Sequence, residues 1–478
     1  MPVFWLTIVL ILFIFQAATI LLIEFRSPEK TVAWLMVLFI LPIIGFVMYY
    51  FVAKEYRQRR IVRRKGFRVL DEMKRSIERD EDKIDLMNRS HRYEIRNHPR
   101  LIGLLLNMPG APITRHNEVE VLTDGEATYG AILEALEKAE RHIHFEFYII
   151  RDDMTGRKFL DVLTRKARDG VQVRVVYDGI GSYKLTSSYV EKLRRAGVAV
   201  HCFLPPLIAF FDKRLNYRNH RKIVVVDGKV GFLGGINIGD EYLGGDKRLG
   251  FWRDTHLRLQ GDAVYYLQMT FLNDWEFVSK QKLTDPALFP EHERFEGKPV
   301  QILPSGPDVQ IDSIFELAFS AIAAARHRIW ITTPYFIPDR SIQIGLKTAA
   351  LSGVDVRIIF PEVPDSKVVH LATLSYVKEL LQAGVRFFTY QKGFMHAKTF
   401  LVDELIASVG TANMDMRSFF DNFEINAVFF DKETMRRLER DFLQDFKESK
   451  EILLPQFERR SRWQRGKEVL ARLLSPLF

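Results

Sequence analysis

A pattern that occurs twice at fixed spacing constrains this chain more than any other feature. It reads His220, Lys222 and Asp227, followed by Gly234, Gly235, Ile236 and Asn237. It returns as His396, Lys398 and Asp403, followed by Gly410, Thr411, Ala412 and Asn413. Lys lies 2 residues and Asp 7 residues after each His, and each Asn lies 17 after it (237 − 220 and 413 − 396). Two independent coincidences of this kind are improbable, so the chain reads as a duplicated half-site whose copies meet at one active site. Residues two apart on a strand share a face. Each His and its Lys are therefore expected to project together, with Ile223 to Val226 and Thr399 to Val402 as buried strands. The glycine-containing turns are expected to bring the Asn237 and Asn413 amides to the same place.

Two imidazoles, two ammonium groups and two carboxamides around one point suit a phosphodiester. One His attacks phosphorus, the other protonates the leaving alcohol, and Lys and Asn stabilise the phosphoryl oxygens. Lysine supplies the positive charge, so no metal and no other cofactor is expected. Asp227 and Asp403 belong to the motif, yet each lies 5 beyond its Lys (227 − 222 and 403 − 398). Odd spacing turns them away from the lysine on a strand, and they are expected to bond the turn that follows. Another carboxylate should orient each His through its second nitrogen. Asp254 and Glu424, each opening a strand after its motif, are the candidates, against a plain reading as strand-end surface charges. Glu146, inside an aromatic strand, either lines the site or faces solvent or a lysine. His142, His201, His256 and His370 lack any paired spacing and read as structural.

The runs Asn219 to Gly228, Gly234 to Tyr242 and Ser408 to Phe419 resemble the phospholipase D superfamily, and bacterial cardiolipin synthases in particular. The resemblance extends over nearly the whole chain. One local departure is Asp421, where an apolar residue is expected before Asn422. The resemblance implies phosphatidyl transfer from one phosphatidylglycerol to another, releasing glycerol. His220 would form a phosphatidyl-histidine, and His396 would act as acid and then as base. It also implies an orienting acid at the positions of Asp254 and Glu424. The rival readings are a hydrolytic phospholipase D, a phosphatidylserine synthase, a nucleic-acid phosphodiesterase and a non-catalytic scaffold on anionic lipid.

Charge and hydropathy bear on that choice. The net charge of +9 suits an anionic partner, membrane or nucleic acid alike. Residues Pro2 to Ile23 are uncharged and long enough to cross a hydrocarbon core. A short polar turn and a second uncharged stretch, Thr31 to Ala53, follow. The expectation is a two-helix transmembrane hairpin rather than a cleaved leader, because no basic segment precedes the first stretch. Eight basic residues from Lys54 to Arg68 place the bulk of the protein on the cytoplasmic face of the cell membrane. Membrane spans and the apolar, proline-broken loop Phe203 to Phe211 favour lipid over nucleic acid as partner. That loop either meets the bilayer or is a buried connection. The single cysteine, Cys202, excludes an internal disulfide.

Beyond the membrane segment (1–53), residues 54–115 read as a basic, charged helical linker. Strands and helices then alternate in the same order twice, giving an α/β fold of two similar lobes with pseudo-twofold symmetry. The lobes are expected over 116–285 and 286–455. Residues 456–478 read as a basic amphipathic helix for a membrane interface, with an ordinary docking helix as the competitor.

Overall fold

The computed structural model describes residues 2–23, 28–41, 45, 49, 98–205, 217–293, 295, 297–309 and 311–475. Two mixed sheets of the same design dominate it. In the first lobe His142–Phe147 runs parallel to Gln172–Asp178 and antiparallel to the motif strand Ile223–Val226. In the second, Arg328–Thr332 runs parallel to Asp355–Pro361 and antiparallel to Thr399–Val402. The motif strands are buried along their whole length, which is why they read as continuous apolar runs instead of alternating ones. Helices such as Met154–Arg168 and Ser187–Arg195 bury one apolar stripe on the sheet. Their starts are set by Asp153 and Thr186, whose side chains cap Gly156 and Tyr189 N–H.

The inner faces of the sheets share one core. Ile223, Val225, Leu257 and Leu259 of the first lobe cluster with Ile302, Leu401, Val409 and Ile425 of the second. The lobes also exchange strands. Arg218–Asn219, just before His220, pairs in parallel with Asn422–Phe429 of the second lobe. Gly393–Met395, just before His396, pairs in parallel with Phe251–Gly261 of the first. This corrects one expectation. His220 and Lys222, like His396 and Lys398, lie between strands, because here the chain crosses from one sheet to the other.

The lobe limits also differ from those expected. Helix Pro99–Leu106 buries Leu101, Ile102 and Leu105 in the second lobe's core with Leu317 and Ala321. Ile113–Thr114 then opens the second lobe's sheet against Val300–Ser305. Residues 99–114 therefore pack as part of the second lobe, not as linker. Leu288 and Phe289 pack beside Phe271 and Trp275, so first-lobe packing runs past 285. The expected linker over 54–97 and the loop over 206–216 lie outside the described residues; Phe203 and Leu204, which open that loop, are buried.

At the amino terminus, helices Pro2–Ile23 and Pro28–Ile40 pack through Ile20, Trp34 and Leu38. The second is described for 13 residues, about 20 Å of helix and short of a hydrocarbon core. The first is 22 residues without a charge, but only part of its side chains is described. Among the described residues no helix is long and apolar enough to cross a membrane, so the membrane hairpin is not shown. At the carboxyl end, helix Arg462–Leu474 docks on Lys367–Gln382 of the second lobe. The docking competitor therefore holds for one face of this helix.

Candidate active site

The crossing strands deliver each histidine to a carboxylate of the other lobe. His220 Nδ1 lies 3.0 Å from both carboxylate oxygens of Glu424. His396 Nδ1 lies 2.6 Å from Asp254 Oδ2. The register explains the exchange. His220 N–H donates to the Phe423 carbonyl and His396 N–H to the Arg253 carbonyl, one residue before each acid. Asp254 and Glu424 are fully buried, unlike strand-end surface charges. Glu424 also accepts from Thr411 Oγ1 at 2.5 Å and Asn422 Nδ2 at 3.1 Å, and Asp254 from Thr255 N–H at 2.7 Å. The motif glycines make room for this. A Cβ on Gly235 would stand 2.1 Å from Asp254 Oδ1, and one on Gly410 2.1 Å from Asn426 Oδ1.

Both lysines are buried. Lys222 Nζ donates to the His220 carbonyl at 2.5 Å, and Lys398 Nζ to the His396 carbonyl at 2.6 Å. Lys398 Nζ also lies 3.1 Å from both nitrogens of the His396 ring. Burial lowers Lys222 to about 7 and Lys398 to about 8; Glu424 and Asp254 oppose the shift. Burial likewise takes His220 to about 4 and His396 to about 3, against the pull of their acids, so both imidazoles are neutral before an anionic substrate binds. Burial alone would raise Glu424, but His220 and then Lys222 bring it down to about 2. Each His thus points Nδ1–H at a carboxylate and keeps Nε2 for chemistry.

The remaining candidates lie elsewhere. Asp227 accepts the backbone N–H groups of Glu140, Arg141 and His142 at 2.7 to 2.8 Å. Asp403 does the same for Arg326, His327 and Arg328 at 2.7 to 2.9 Å. The structural reading of these motif aspartates therefore holds, but the partner is corrected. They clamp the entrance of the neighbouring strand instead of the following turn, and neither touches the reacting groups. Both sit at positive φ, 53° and 50°, a cost that the three accepted bonds offset. Asn237 is also turned to the scaffold: Oδ1 accepts from Ile149 N–H at 3.0 Å, and its side chain bonds Tyr242. Asn413 Nδ2 donates to Asp415 at 3.0 Å. The carboxamides as placed brace the turns; Asn413 also lines a cavity with Lys398.

Glu146 neither faces solvent nor pairs with a lysine. It is buried, accepts from Asn219 Nδ2, and adjoins Asp274. Burial and then Asp274 hold it well above the usual carboxylate range. Both Asp274 oxygens accept from Arg221 Nη1, at 2.7 and 2.5 Å, while Arg221 Nε and Nη2 reach the Glu424 and Ser305 carbonyls. Arg253 makes a second buried pair, this one across the lobes, with Asp445 at 2.8 and 2.9 Å. Sequence reading missed these arginines. Their one signal is that Phe271-Leu-Asn-Asp274 repeats as Phe442-Leu-Gln-Asp445. His142, His144 and Gln268 form a separate buried chain, and His201 and His370 pack against Trp275 and Phe360. His256 is buried beside Asp254 and Lys222, and burial holds it neutral.

Two α/β lobes that exchange strands around a pair of His–Lys half-sites define a phospholipase D-like protein. A family described as cardiolipin synthase, phospholipase D-like domain, matches residues 132–275 and again 319–446, and a phospholipase D-nuclease amino-terminal family matches 4–54. The cardiolipin synthase 2 of Bacillus anthracis is 45% identical over 470 residues, 97% of this chain and 90% of its own. The cardiolipin synthase of Listeria monocytogenes is 41% identical, covering 99% of this chain and 98% of its own. Among solved structures, phosphatidylserine synthase of Haemophilus influenzae shares the fold, with a TM-score of 0.59 at 16% identity over 79% of this chain and 96% of its own. The chain belongs to the cardiolipin synthase family of the phospholipase D superfamily.

Proposed function

We propose that this protein is a phosphatidyltransferase that joins two phosphatidylglycerol molecules into cardiolipin and releases glycerol. The observation that carries this reading is the crossed pairing of each His with an acid of the other lobe, within a chain 45% identical to proteins called cardiolipin synthase. His220 Nε2 attacks phosphorus of the first lipid while His396, which takes up a proton at Nε2 as the anionic phosphodiester binds beside it, gives that proton to the departing glycerol oxygen. The P–O bond breaks as the P–N bond forms. His396 then takes the proton from a hydroxyl of the second lipid, whose oxygen displaces His220. Lys222 and Lys398 neutralise the phosphoryl oxygens, and Glu424 and Asp254 hold each ring and balance its charge in turn. Asp227 and Asp403 serve the reaction only by fixing the neighbouring strand.

Transfer outcompetes hydrolysis where the acceptor lipid is concentrated, which a membrane-held site provides. We read the amino-terminal helices as a multi-pass anchor in the cell membrane, with the lobes on the cytoplasmic face. The uncharged 22-residue first helix supports this. So do its exposed Leu10, Ile11, Ile14 and Phe15, its packing on the second helix, and the basic run after Ala53.

The test uses purified protein in phosphatidylglycerol micelles with chelator, following lipid products and free glycerol. Cardiolipin with matching glycerol, lost in His220→Ala and His396→Ala, is the expected result. Phosphatidic acid in its place would make the enzyme a hydrolase. No turnover from folded protein would favour another acceptor or a scaffold.

A further inference from the structure

The carboxyl-terminal helix Arg462–Leu474 is docked by one side only. Glu468 and Ala471 are buried. Glu468 bonds Arg460 Nη1 at 2.5 Å, Arg472 Nη1 reaches the Ser375 carbonyl at 3.3 Å, and Ser475 Oγ lies 2.9 Å from Tyr376 Oη. The outer side carries Trp463, Val469, Leu470 and Leu473, exposed by 75, 59, 54 and 38%. At 3.6 residues per turn these four fall within about 120° of arc. They form a stripe, not scattered contacts.

The charges on this helix are sorted. Its one acid, Glu468, faces inward, whereas Arg465 and Lys467 flank the apolar stripe on its two sides, Arg462 stands at its amino-terminal end, and all three are exposed. Lys467 Nζ lies 5.4 Å from the Trp463 ring centre, an arrangement suited to the water–lipid boundary. The helix also touches Pro28–Ile40, a helix that exposes Val32, Phe39 and Ile40. Two touching helices thus both carry exposed apolar side chains.

We infer that the outer face of Arg462–Leu474 is a membrane-contact surface that seats the second lobe on an anionic bilayer, through an apolar stripe bordered by basic residues. Charge complementarity and contact with Pro28–Ile40 select a lipid surface over a second copy of the chain. This inference adds a seating surface for the lobe that carries His396, and it does not depend on which lipid reaction the site performs.

The test uses the full chain reconstituted in vesicles. Cys202→Ser removes the one native thiol. A fluorophore is then attached through Val469→Cys or Leu473→Cys, and through Glu191→Cys on the first lobe as reference. On vesicles rich in phosphatidylglycerol, lipid-borne quenchers should quench positions 469 and 473 but not 191. On phosphatidylcholine vesicles that quenching should fall severalfold. Equal access of a water-soluble quencher to all three positions would overturn the proposal. Protection from both quenchers would also overturn it and point to a protein partner. Equal lipid quenching on both vesicle types would remove the anionic selectivity. In parallel, Val469→Glu with Leu473→Glu should lower turnover on vesicles by about tenfold. It should leave turnover of a short-chain, water-soluble phosphatidylglycerol unchanged, which separates seating from misfolding. Absent turnover of both substrates by the wild type would count against the proposed reaction while leaving the quenching result to stand.

Discussion

The two half-sites carry the same motif in different settings. Behind His220 lies a polar network of Asn219, Glu146, Arg221 and Asp274, with the edge of Tyr148 against the imidazole at 4.9 Å. Behind His396 the position after the histidine is Ala397, and the ring is held by Trp252 at 5.0 Å and Phe394 at 5.8 Å. Lys222 bonds only the backbone next to its histidine, whereas Lys398 reaches the His396 ring itself. Duplication supplied two chemically equal groups, and their surroundings made them unequal. A rigid, hydrogen-bonded setting suits the atom that becomes covalently attached. An aromatic wall with an ammonium against the ring suits the group that passes a proton.

The most severe way to break this comparison is to delete either imidazole. His220→Ala and His396→Ala should each reduce turnover by roughly 10² to 10⁴-fold or more. The sharper readout is where phosphorus ends up. With His396→Ala and a rapid alkaline denaturing quench, which spares the acid-labile P–N bond, mass spectrometry should find the phosphatidyl group on His220. In His220→Ala no adduct should form, and an adduct on His396 would reverse the assignment.

Next in size are the crossed acids. Glu424→Gln and Asp254→Asn should cost about 10² to 10⁴-fold in kcat by analogy with other His–carboxylate pairs, with the fold intact by circular dichroism. A loss confined to one of them would mean that only one histidine needs its carboxylate.

Removing the asymmetric network should act on stability. Arg221→Met removes the cation that faces the buried Asp274 carboxylate and should cost about 3–5 kcal/mol in denaturant unfolding. Arg221→Met with Asp274→Leu should recover much of it. A smaller, symmetric loss is expected from Asp227→Ala and from Asp403→Ala. Each should cost about 1–3 kcal/mol, because three N–H groups lose their acceptor. Turnover per folded molecule should stay within about twofold.

The mildest perturbation is pH. kcat/KM should fall on the alkaline side through about 7 to 8, as Lys222 and then Lys398 lose the proton that burial has loosened. It should fall on the acid side toward about 4, where His220 takes up the proton it must lack to attack. A bound phosphodiester favours the ammonium forms, so the alkaline limb of kcat should lie above that of kcat/KM. Coincident limbs in the two profiles would place the lysines away from the substrate.

The double motif and the order of strands were legible in the linear chain, because spacing and hydrophobic pattern encode them directly; the acids at 254 and 424 were candidates from their place at strand starts and from the family resemblance. The partner of each acid was not legible. Pairing across the lobes depends on Arg218–Asn219 and Gly393–Met395 joining the opposite sheets, and two-residue and three-residue strands leave almost no pattern. The contacts of the asparagines were out of reach for a related reason. Fixed spacing says that a residue is constrained, not which way it points; Asn237 is constrained by Ile149 and Tyr242. Residues 99–114 read as linker by charge and length, although the uncharged face of Leu101, Ile102 and Leu105 was the part that mattered.

The exchanged strands have a consequence for the chain as it is being made. The first lobe emerges from the ribosome carrying His220, but its acid, Glu424, is still to be synthesised, and Asp254 waits likewise for His396. An unfinished polypeptide therefore holds no complete half-site. The protein cannot begin acting on phospholipid until its second lobe's strands have crossed over, which makes the topology itself a safeguard against premature activity.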